Sequence, residues 1–559
     1  MGQWFVGLYT SIGYKRLGSV QLFAEEHVCY SEKNIAVTYE QTKKGQDALI
    51  AITVLGEGEC YVGIEYEGDG EVSTFSGTVT YERYIRQSPR DISDYTLDME
   101  KEAVPMAAVL ENGIYTAAIS DQPGHCDNAT TQHVFPDSFQ ICSGDCGIIR
   151  GKGKKTFAPV YHKVTEGKNH EFRLMLCRFK ADTLNQFRNQ IFRGIDRVWG
   201  EGGSAFHSVC FAGNYMHYRK NETGYSDYWV VPGIEYANYQ YPRDAFWQSM
   251  ILPKEMADQC YMAINPGRYS YAENGLFYLI WSYRNLKNGG GLNEESVKGA
   301  LQYVSQFCRD GCYCTNKGDE TEYEFKIQSW YDICAFEWDD VITYNQGLLA
   351  VAMRAAEEMG LTPPVKWQDA AEEYKKQFNG TYFPLSRKKQ CLSLDVFIGD
   401  ILFFLLFDEC VLSDDVVQKC YQYVIEHNNT PYGRKVVCGE QGEFLPMEFH
   451  GAYGYICPHQ KELQPGEYAY GSSYYLYEML FHIGAYLHHA EGAEEHLISR
   501  GKLDFNIGGT FYEHINTVTG LGNKANQGWN CAIYSIWEQL MKRGIADDRF
   551  FREIEKVLG

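Results

Sequence analysis

At 559 residues the chain is long enough for two or more domains, and its 45% hydrophobic content is ordinary for a globular protein. The formal net charge of −22 argues against a nucleic-acid or anionic-membrane partner, because either needs a basic face. No run approaches the roughly 18 apolar residues of a membrane span, and the first residues lack the features of a signal peptide. We therefore expect a cytoplasmic protein without a membrane segment.

The 18 cysteines fit reduced thiols in that compartment. Three of them cluster in "FCRDGCYCTNKGDE", at Cys308, Cys312 and Cys314, but no second cysteine or histidine pair at zinc spacing follows. We expect neither a metal ion nor another cofactor.

The first 180 residues alternate as half-buried strands do. Segments such as "NIAVTYEQT", "DALIAITVLG" and "ECYVGIEYEG" are rich in Val, Ile, Thr and Tyr and are separated by Gly-rich turns. Short antiparallel strands at this spacing predict a β-sandwich domain over residues 1–180. Across 181–204 the period changes to that of one helix face, which predicts a linker helix. Its apolar positions are Leu184, Phe187, Ile191, Ile195 and Val198.

Residues 205–559 have the pattern of helices joined by long loops. The predicted helices span 244–256, 271–287, 294–309, 345–359, 366–378, 395–407, 414–427, 472–490, 529–543 and 547–557. Asn293 and Ser413 precede acidic first turns, as N-cap residues do. Helices in hairpin succession predict an (α/α)6 toroid. The predicted fold is therefore a multidomain β + α chain with an N-terminal antiparallel β-sandwich, a linker helix and a C-terminal (α/α)6 toroid.

The first candidate site segment is "NYQYPRDAFWQSM", residues 238–250. An Arg243–Asp244 pair stands at a helix start among aromatic residues that include Tyr241 and Trp247. An acid after a proline is also what a simple helix start requires. That reading explains Asp244 but not the adjacent arginine with its aromatic neighbours, so we expect a ligand-binding role.

The second segment is "IQSWYDICAFEWDDVITYNQG", residues 327–347. Acids usually form a solvated face, but here they alternate with aromatic rings, which fits a cleft better. The residues of interest are Trp330, Tyr331, Asp332, Asp339, Asp340 and Asn345.

The third segment, residues 508–540, carries Glu513 and His514 behind a Gly-Gly-Thr turn and Trp529 at a helix start. Glu513 could be an ordinary strand residue, but the flanking glycines indicate a constrained loop. Two carboxyl groups brought by different loops into an aromatic pocket suit glycoside hydrolysis, since one protonates the leaving oxygen and the other activates water. The aromatic fraction of 15% is high, although such rings also build ordinary cores.

Together the three segments resemble those of the six-hairpin glycosidases, a superfamily that includes glucoamylases, amylo-α-1,6-glucosidases and α-L-rhamnosidases. The resemblance implies that Arg243 and Asp244 hold hydroxyls of the non-reducing-end sugar, that Asp332 is the general acid and that Glu513 is the general base. The string "EWDDV" is closer to the glucoamylase acid motif than "SWYD" is, so Asp339 and Asp340 stay open as the acid. We expect the substrate-binding residues to be Tyr241, Arg243, Asp244, Trp247, Trp330, Tyr331, Asp340, Asn345, His514 and Trp529.

The expected function is an inverting exo-acting glycoside hydrolase that releases a terminal, gluco-configured sugar from a small oligosaccharide or glycoside. Three alternatives stay open. An inverting phosphorylase of the same architecture needs no catalytic base, so Glu513 counts against it. An epimerase or lyase would work through histidine or tyrosine, for which His450, His459 and His514 are candidates. A non-catalytic sugar-binding protein would leave the paired acids unexplained. The oligomeric state, including a homo-oligomer, is open.

Overall fold

The computed structural model describes most of the chain in two compact units, Met1–Tyr239 and Gln240–Gly559. The described residues are 2–10, 13–20, 26–32, 35–44, 47–56, 60–68, 70–74, 77–78, 106–121, 131–134, 139–142, 156–164, 169–199, 204–215, 218–220, 228–230, 232, 241–264, 271–316, 329–331, 336–446, 449, 469–525 and 527–558.

The first unit is built mainly of antiparallel strands, as the alternating sequence predicts. Its strands are β1 Gln3–Thr10, β2 Gly13–Val20, β3 Glu26–Glu32, β4 Ile35–Lys44, β5 Asp47–Gly56, β6 Cys60–Gly68, β7 Glu71–Thr74, β8 Gly77–Thr78, β9 Met106–Glu111, β10 Ile114–Ser120, β11 Thr131–Val134, β12 Phe139–Cys142, β13 Thr156–Val164, β14 Asn169–Phe179, β15 Tyr218–Lys220 and β16 Tyr228–Val230. Among the described residues, one sheet has the order β13-β6-β1-β2 and a second the order β3-β4-β5-β14-β10-β9-β7-β8.

Side chains from both sheets share one apolar core. In β5, Ala48, Ile50, Ile52 and Val54 are buried, and the residues between them are more exposed, which is the period of two of a strand with one covered face. The same core takes Val6, Ile64 and other residues of the first sheet. The alternation of the sequence therefore follows the side of each strand that meets this core.

Two helices stand between β14 and β15 in the first unit, α1 Leu184–Trp199 and α2 Ala205–Tyr215. The apolar stripe predicted for the linker helix is the buried face of α1, where Phe187, Ile191, Ile195 and Val198 are at most 2% exposed. This face packs on β10 and β14. The division of the chain into residues 1–180, 181–204 and 205–559 stays a prediction.

The second unit is mainly helical. Its helices are α3 Pro242–Gln248, α4 Lys254–Ala263, α5 Asn274–Lys287, α6 Glu294–Ser305, α7 Thr343–Glu358, α8 Trp367–Lys375, α9 Ile398–Phe407, α10 Asp414–His427, α11 Tyr475–Leu487, α12 Ala493–Gly508, α13 Ala532–Lys542 and α14 Arg549–Leu558. Its short strands are β17 Cys308–Arg309, β18 Cys312–Tyr313, β19 Leu392–Ser393, β20 Val437–Cys438, β21 Ser473–Tyr474, β22 Tyr512–Ile515 and β23 Gly522–Ala525. Every described strand pair in this unit is antiparallel.

Helices of two kinds alternate along this unit. The odd-numbered helices from α3 to α11 are buried over much of their circumference, and α7, for example, is buried at every position from Thr343 to Met353. Helix α13 buries a stripe but packs on α11 as the others pack on their odd-numbered neighbours. Most of the even-numbered helices bury a stripe, as α10 does with Val417, Cys420 and Val424. The odd-numbered helices are therefore the inner ones, and we call them the inner helices.

Neighbouring inner helices pack on one another in chain order: α3 on α5, α5 on α7, α7 on α9, α9 on α11 and α11 on α13. Where α7 meets α9 the backbones approach so closely that a Cβ on Gly399 would overlap Gly347. The turn Gly528–Cys531, which leads into α13, also packs on α3, the first of the series.

Most helix predictions are confirmed to within a few residues. The sequence did not predict α2, α4 or α12, and the predicted helix 244–256 is two helices, because α3 ends at Gln248 and α4 begins at Lys254. The side chain of Asn293 does accept a hydrogen bond from the Ser296 N–H, at 3.2 Å, but Ser413 forms no such cap. No described helix is both long and apolar enough to cross a membrane.

Candidate active site

Polar and aromatic side chains gather where the inner helices begin. Arg243 and Asp244 lie in the first turn of α3, behind Pro242, whose fixed φ suits a helix start. Glu273 directly precedes α5, and Asp395 lies three residues before α9. The contacts among these residues belong entirely to the second unit.

Arg243 is the central cation of this group. Its Nη1 donates to Glu273 Oε1 at 2.5 Å, and its Nη2 lies 3.2 Å from Asp244 Oδ2. Its guanidinium carbon lies 5.4 Å from the ring centroid of Trp529, within the range of a cation–π contact. Arg243 is only 9% exposed, so these charges interact in a poorly hydrated environment.

The two acids beside Arg243 are held partly protonated near neutral pH. Burial raises the pKa of Asp244 to about 6, although the Arg243 charge opposes the rise and the charge of Glu513 adds to it. Burial likewise raises the pKa of Glu273 to about 7 against the pull of Arg243. A carboxyl group with a pKa near neutrality can either donate or accept a hydrogen bond to a ligand hydroxyl.

Glu513 lies on β22, which pairs with β21 on one side and β23 on the other. It is 8% exposed, and its charge contributes to the raised pKa of Asp244; Trp529, of the same sequence segment, lies against the Arg243 guanidinium. The next residue, His514, is opposite Tyr474 in the strand pair and stacks on its ring at a centroid distance of 5.2 Å. The first and third sequence segments therefore meet in the folded chain.

The second segment reaches the same place through Trp330 and Tyr331. Asp395 Oδ2 accepts hydrogen bonds from Trp330 Nε1 at 2.7 Å and from the Tyr331 hydroxyl at 2.5 Å. The Trp330 ring stacks on Tyr477 at a centroid distance of 4.0 Å, and Tyr477 meets the Trp529 ring edge-on at 5.7 Å. A continuous aromatic wall thus joins the second segment to the third.

The predicted general acid, Asp332, directly follows this wall in sequence but lies outside the described residues, as do Glu448, His450 and His459. Its assignment stays a prediction. The described neighbours Trp330 and Tyr331 are 5% and 1% exposed, so the chain just before Asp332 is held firmly against the site.

Asp339 and Asp340, the two alternative candidates for the general acid, are each engaged in contacts with other parts of the chain. Asp339 has a side chain that is 53% exposed and pairs with Arg309 at 2.6 Å. Asp340 is fully buried, and its carboxylate accepts hydrogen bonds from the Ser386 hydroxyl at 2.5 Å and from the Val341 and Lys388 N–H groups at 2.8 and 3.1 Å. These bonds fasten the loop before α7 to the chain at 386–388, which is a structural task.

The other predicted binding residues divide between the site and the core. Asn345 accepts a hydrogen bond from Ser329 Oγ at 3.1 Å, and the Ser329 hydroxyl also bonds to Glu273, so Asn345 adjoins the Arg243 group. Tyr241 is half-buried beside Tyr271. Trp247 is fully buried and packs against Phe246 and Phe277, so it lies in the core behind the site. Its predicted contact with substrate stays untested.

The sequence predictions did not include Glu273, Asp395 or Tyr477. Glu273 and Asp395 each stand close before an apolar inner helix, in "AENGLFYLI" and "LDVFIGDILFF". An acid within three residues before an apolar helix is the signal that could have identified these two. Tyr477 carries no such signal, because it is one of three tyrosines within four residues.

Among the described residues, one group has ligand atoms close enough to hold a metal ion: the donor atoms of Asp400, Cys410 and His488 lie within 4.8 Å of one another. However, both His488 ring nitrogens already face carboxylates, Nε2 at 2.7 Å from Asp400 and Nδ1 at 2.8 Å from Asp414. Ion pairs therefore account for the arrangement.

No protein-family model and no curated protein sequence matches the chain. Among solved structures it is similar to a bacterial glucoamylase complexed with acarbose, at 11% identity and a TM-score of 0.43, with 100% of this chain and 90% of that one covered. It is similar to a family 63 mannosylglycerate hydrolase from Thermus thermophilus, at 9% identity and a TM-score of 0.40, with 60% and 100% covered.

A further similar structure is a putative kojibiose phosphorylase from the human microbiome, at 8% identity and a TM-score of 0.31, with 95% of this chain and 78% of that one covered. The structures that resemble this chain thus include glycoside hydrolases and a phosphorylase, and glucoamylase is one of the enzymes whose motifs the sequence resembles. At these identities the likeness assigns no activity and no residue role to this chain.

Proposed function

We propose that this chain is an inverting, exo-acting glycoside hydrolase that releases a terminal, gluco-configured sugar from a small oligosaccharide or glycoside in the cytoplasm. The observation that carries the proposal is the meeting of Arg243, Asp244 and Glu273 with Glu513 beside an aromatic wall. Sugars are bound by such a combination, since their hydroxyls need directional polar partners and their ring faces need apolar ones.

The proposed architecture is a β-sandwich followed by a linker helix and an (α/α)6 toroid. Support for the toroid comes from the serial packing of the inner helices and from the contact of Gly528–Cys531 with α3, which brings the end of the series back to its beginning. Inner helices that run the same way in such a ring present their N-terminal ends together, where the polar residues of the site are found.

The proposed base is Glu513 and the proposed acid is Asp332. A base must be ionised at working pH and must face the anomeric carbon from the side opposite the leaving group. Glu513 is carried by a strand paired on both sides, which holds its backbone in place. Inversion needs a water between base and sugar, so we expect the two carboxyl groups to lie roughly 6.5–9.5 Å apart.

Arg243 and Asp244 are proposed to hold adjacent hydroxyls of the terminal sugar, with Glu273 keeping the guanidinium in position. A guanidinium offers donors in a fixed plane, while a carboxyl group offers acceptors, so the pair can bind two neighbouring hydroxyls at once. Because the groups are buried, a sugar that lacks one of these hydroxyls would leave a polar atom unsatisfied.

Charge favours hydrolysis over phosphorolysis. In the described part of the site, Asp244, Glu273 and Glu513 supply three carboxyl groups, while Arg243 supplies one guanidinium. At a pH above about 7, where Asp244 and Glu273 are mostly ionised, a phosphate dianion entering beside Glu513 would meet more negative than positive charge. Water has no such penalty.

The experiment that tests the proposal is a screen of aryl glycosides and disaccharides, with and without phosphate, followed by proton NMR of the first-formed anomer. We expect turnover without phosphate and a first product of inverted configuration. Turnover that requires phosphate would replace the hydrolase with a phosphorylase. Binding of sugars without turnover of any substrate would favour the sugar-binding protein.

A further inference from the structure

A cavity lies near the C-terminal ends of several inner helices. Its volume is about 330 Å³. Residues near the C-terminal ends of α5, α9 and α13 line it, together with the end of α3. Phe246 and Met250 lie three and seven residues after Arg243 along α3 and its end, so about 5–10 Å of helix separates this cavity from Arg243. The lining residues are Phe246, Met250, Arg284, Lys287, Asn288, Leu402, Leu405, Leu406, Ser535, Glu538, Gln539, Lys542 and Arg543.

The cavity has an apolar part and a cationic part, although the whole chain has a net charge of −22. Most of its cations already have strong partners. Lys287 Nζ donates to the Leu406 carbonyl at 2.5 Å, Lys542 pairs with Glu538 at 2.8 Å, and Arg543 pairs with Asp408 at 2.8 Å. Lys287 and Arg543 also donate to carbonyls at the ends of α9 and α13, as cations near helix C-termini commonly do.

Arg284 differs from these three. Within the described structure it forms no ion pair with a carboxylate, and its guanidinium donates from Nη1 to Ser249 Oγ at 3.0 Å. It lies 5.9 Å from the centroid of the Phe246 ring. Burial lowers the pKa of Arg284 to about 10, which reflects the cost of holding a cation there without an opposite charge.

The position of Arg284 in the last turn of α5 gives it some attraction to the helix C-terminus. That attraction partly compensates the positive charge, but it gives no hydrogen-bond acceptor to the remaining N–H groups of the guanidinium, which has five donors. A sheltered cation with spare donors beside a cavity of this size is suited to an anionic ligand, because the ligand would supply the missing negative charge.

We propose that this cavity binds a small organic oxyanion, with its phosphate or carboxylate group on Arg284 and its apolar part against Met250, Leu402 and Leu405. Planar guanidinium donors match the two oxygens of either group. The apolar lining means that an anion with a hydrocarbon or aromatic body binds more tightly than the bare ion, because it removes more apolar surface from water. The site is independent of the proposed glycosidase reaction.

The test follows thermal unfolding of the full chain with phenyl phosphate, benzoate, inorganic phosphate and phenol, each at constant ionic strength. We expect a saturable rise in Tm with phenyl phosphate or benzoate, a weaker one with inorganic phosphate and none with phenol. Arg284→Met should weaken binding of the organic anion by at least about tenfold, since a charge-assisted hydrogen bond is lost. Without ligand, Arg284→Met should be no less stable than the wild type, because it removes a half-buried cation that has no ion pair with a described carboxylate.

Lys298→Met is the matched control, because it removes one exposed positive charge, 67% exposed, from the surface of α6. It should leave binding unchanged. The proposal is overturned if neither organic anion gives a saturable shift in the wild type, or if the shift survives in Arg284→Met. A shift that survives there but disappears in Asp244→Asn would place the probe in the active site, which also overturns the proposal. If Arg284→Met does not fold, Arg284→Gln takes its place. The titration of the wild type then still shows whether an organic anion binds.

Discussion

Arg243 and Glu273 join the starts of two inner helices through a hydrogen bond of 2.5 Å between Nη1 and Oε1. Arg243 is in the first turn of α3, and Glu273 directly precedes α5. The same guanidinium faces Asp244, so one cation is shared by two buried acids. This sharing fixes the plane of the guanidinium and keeps its remaining donors in one direction, which is the property that a sugar-binding group needs.

The role of Asp244 can be tested by replacing it with asparagine. Asp244→Asn keeps the shape but removes the charge, so we expect kcat/KM on the best substrate to fall about 10- to 100-fold, the loss typical of a hydrogen bond to a charged group. Asp415→Asn is the control, since Asp415 is 73% exposed on α10. Near-normal kinetics for Asp244→Asn would mean that Arg243 and Asp244 only begin helix α3 and do not bind substrate.

The acid and base roles can be separated by leaving group. A general acid matters most when the leaving group is poor, whereas a base is needed whatever leaves. Asp332→Ala should therefore lose most activity on a disaccharide but keep much of it on a dinitrophenyl glycoside or glycosyl fluoride. The activity of Glu513→Ala should fall by roughly 10²–10⁴-fold on both kinds of substrate.

The same pair of substrates identifies a wrong assignment. If the activity of Asp332→Ala falls by the same factor on substrates with good and with poor leaving groups, Asp332 is not the acid. The same substitution is then tested at Asp340 and at Asp339. Activity of Glu513→Ala that returns only with added phosphate would contradict the hydrolase.

A buried ion network supports the strand that carries Glu513. Arg500 on α12 donates to Glu478 at 2.9 Å and to Asp504 at 2.5 Å, and Asp504 accepts the Tyr512 N–H at 2.8 Å, one residue before Glu513. Arg500→Met would leave two buried carboxylates without this partner. We expect the free energy of unfolding to fall by about 3–5 kcal/mol in urea titrations at pH 7. A change no larger than that of Lys419→Met, on the exposed surface of α10, would show that the network is not stabilising.

The ion pairs of His488 predict a loss of stability at high pH. Burial alone would lower the pKa of His488, but its hydrogen bonds to Asp400, Cys410 and Asp414 outweigh burial and raise the pKa to about 10. A pKa raised in the folded state adds stability that is complete below the ordinary value of 6.5 and is lost as the pH rises toward 10. The stability difference between wild type and His488→Gln should therefore be largest at pH 6 and should shrink by pH 10.

Urea titrations across that pH range measure the difference. His427→Gln is the matched control, because His427 bonds to the Tyr423 carbonyl instead of a carboxylate. A difference for His488→Gln that is constant with pH would contradict the assignment of the His488 charge.

Much of the secondary structure could be predicted because many of its elements bury one face, which gives the sequence a regular apolar period. The alternation in β5 and the apolar stripe of α1 follow from which side meets the core, and both are visible in the residues alone. Helix α12 was missed for the opposite reason. Its buried face includes the charged residues Arg500 and Asp504, which pair with each other and so interrupt the apolar pattern.

The sequence by itself also determined the three segments of the candidate site, since Arg243, Asp244, Glu513 and their aromatic neighbours are unusual where they stand. Only the tertiary structure decided which residues meet. Glu273 joins Arg243 from another helix, and Trp247, an aromatic neighbour of the pair in sequence, is buried in the core behind it. Contacts between residues far apart in the chain depend on how the inner helices pack, and no local period carries that information.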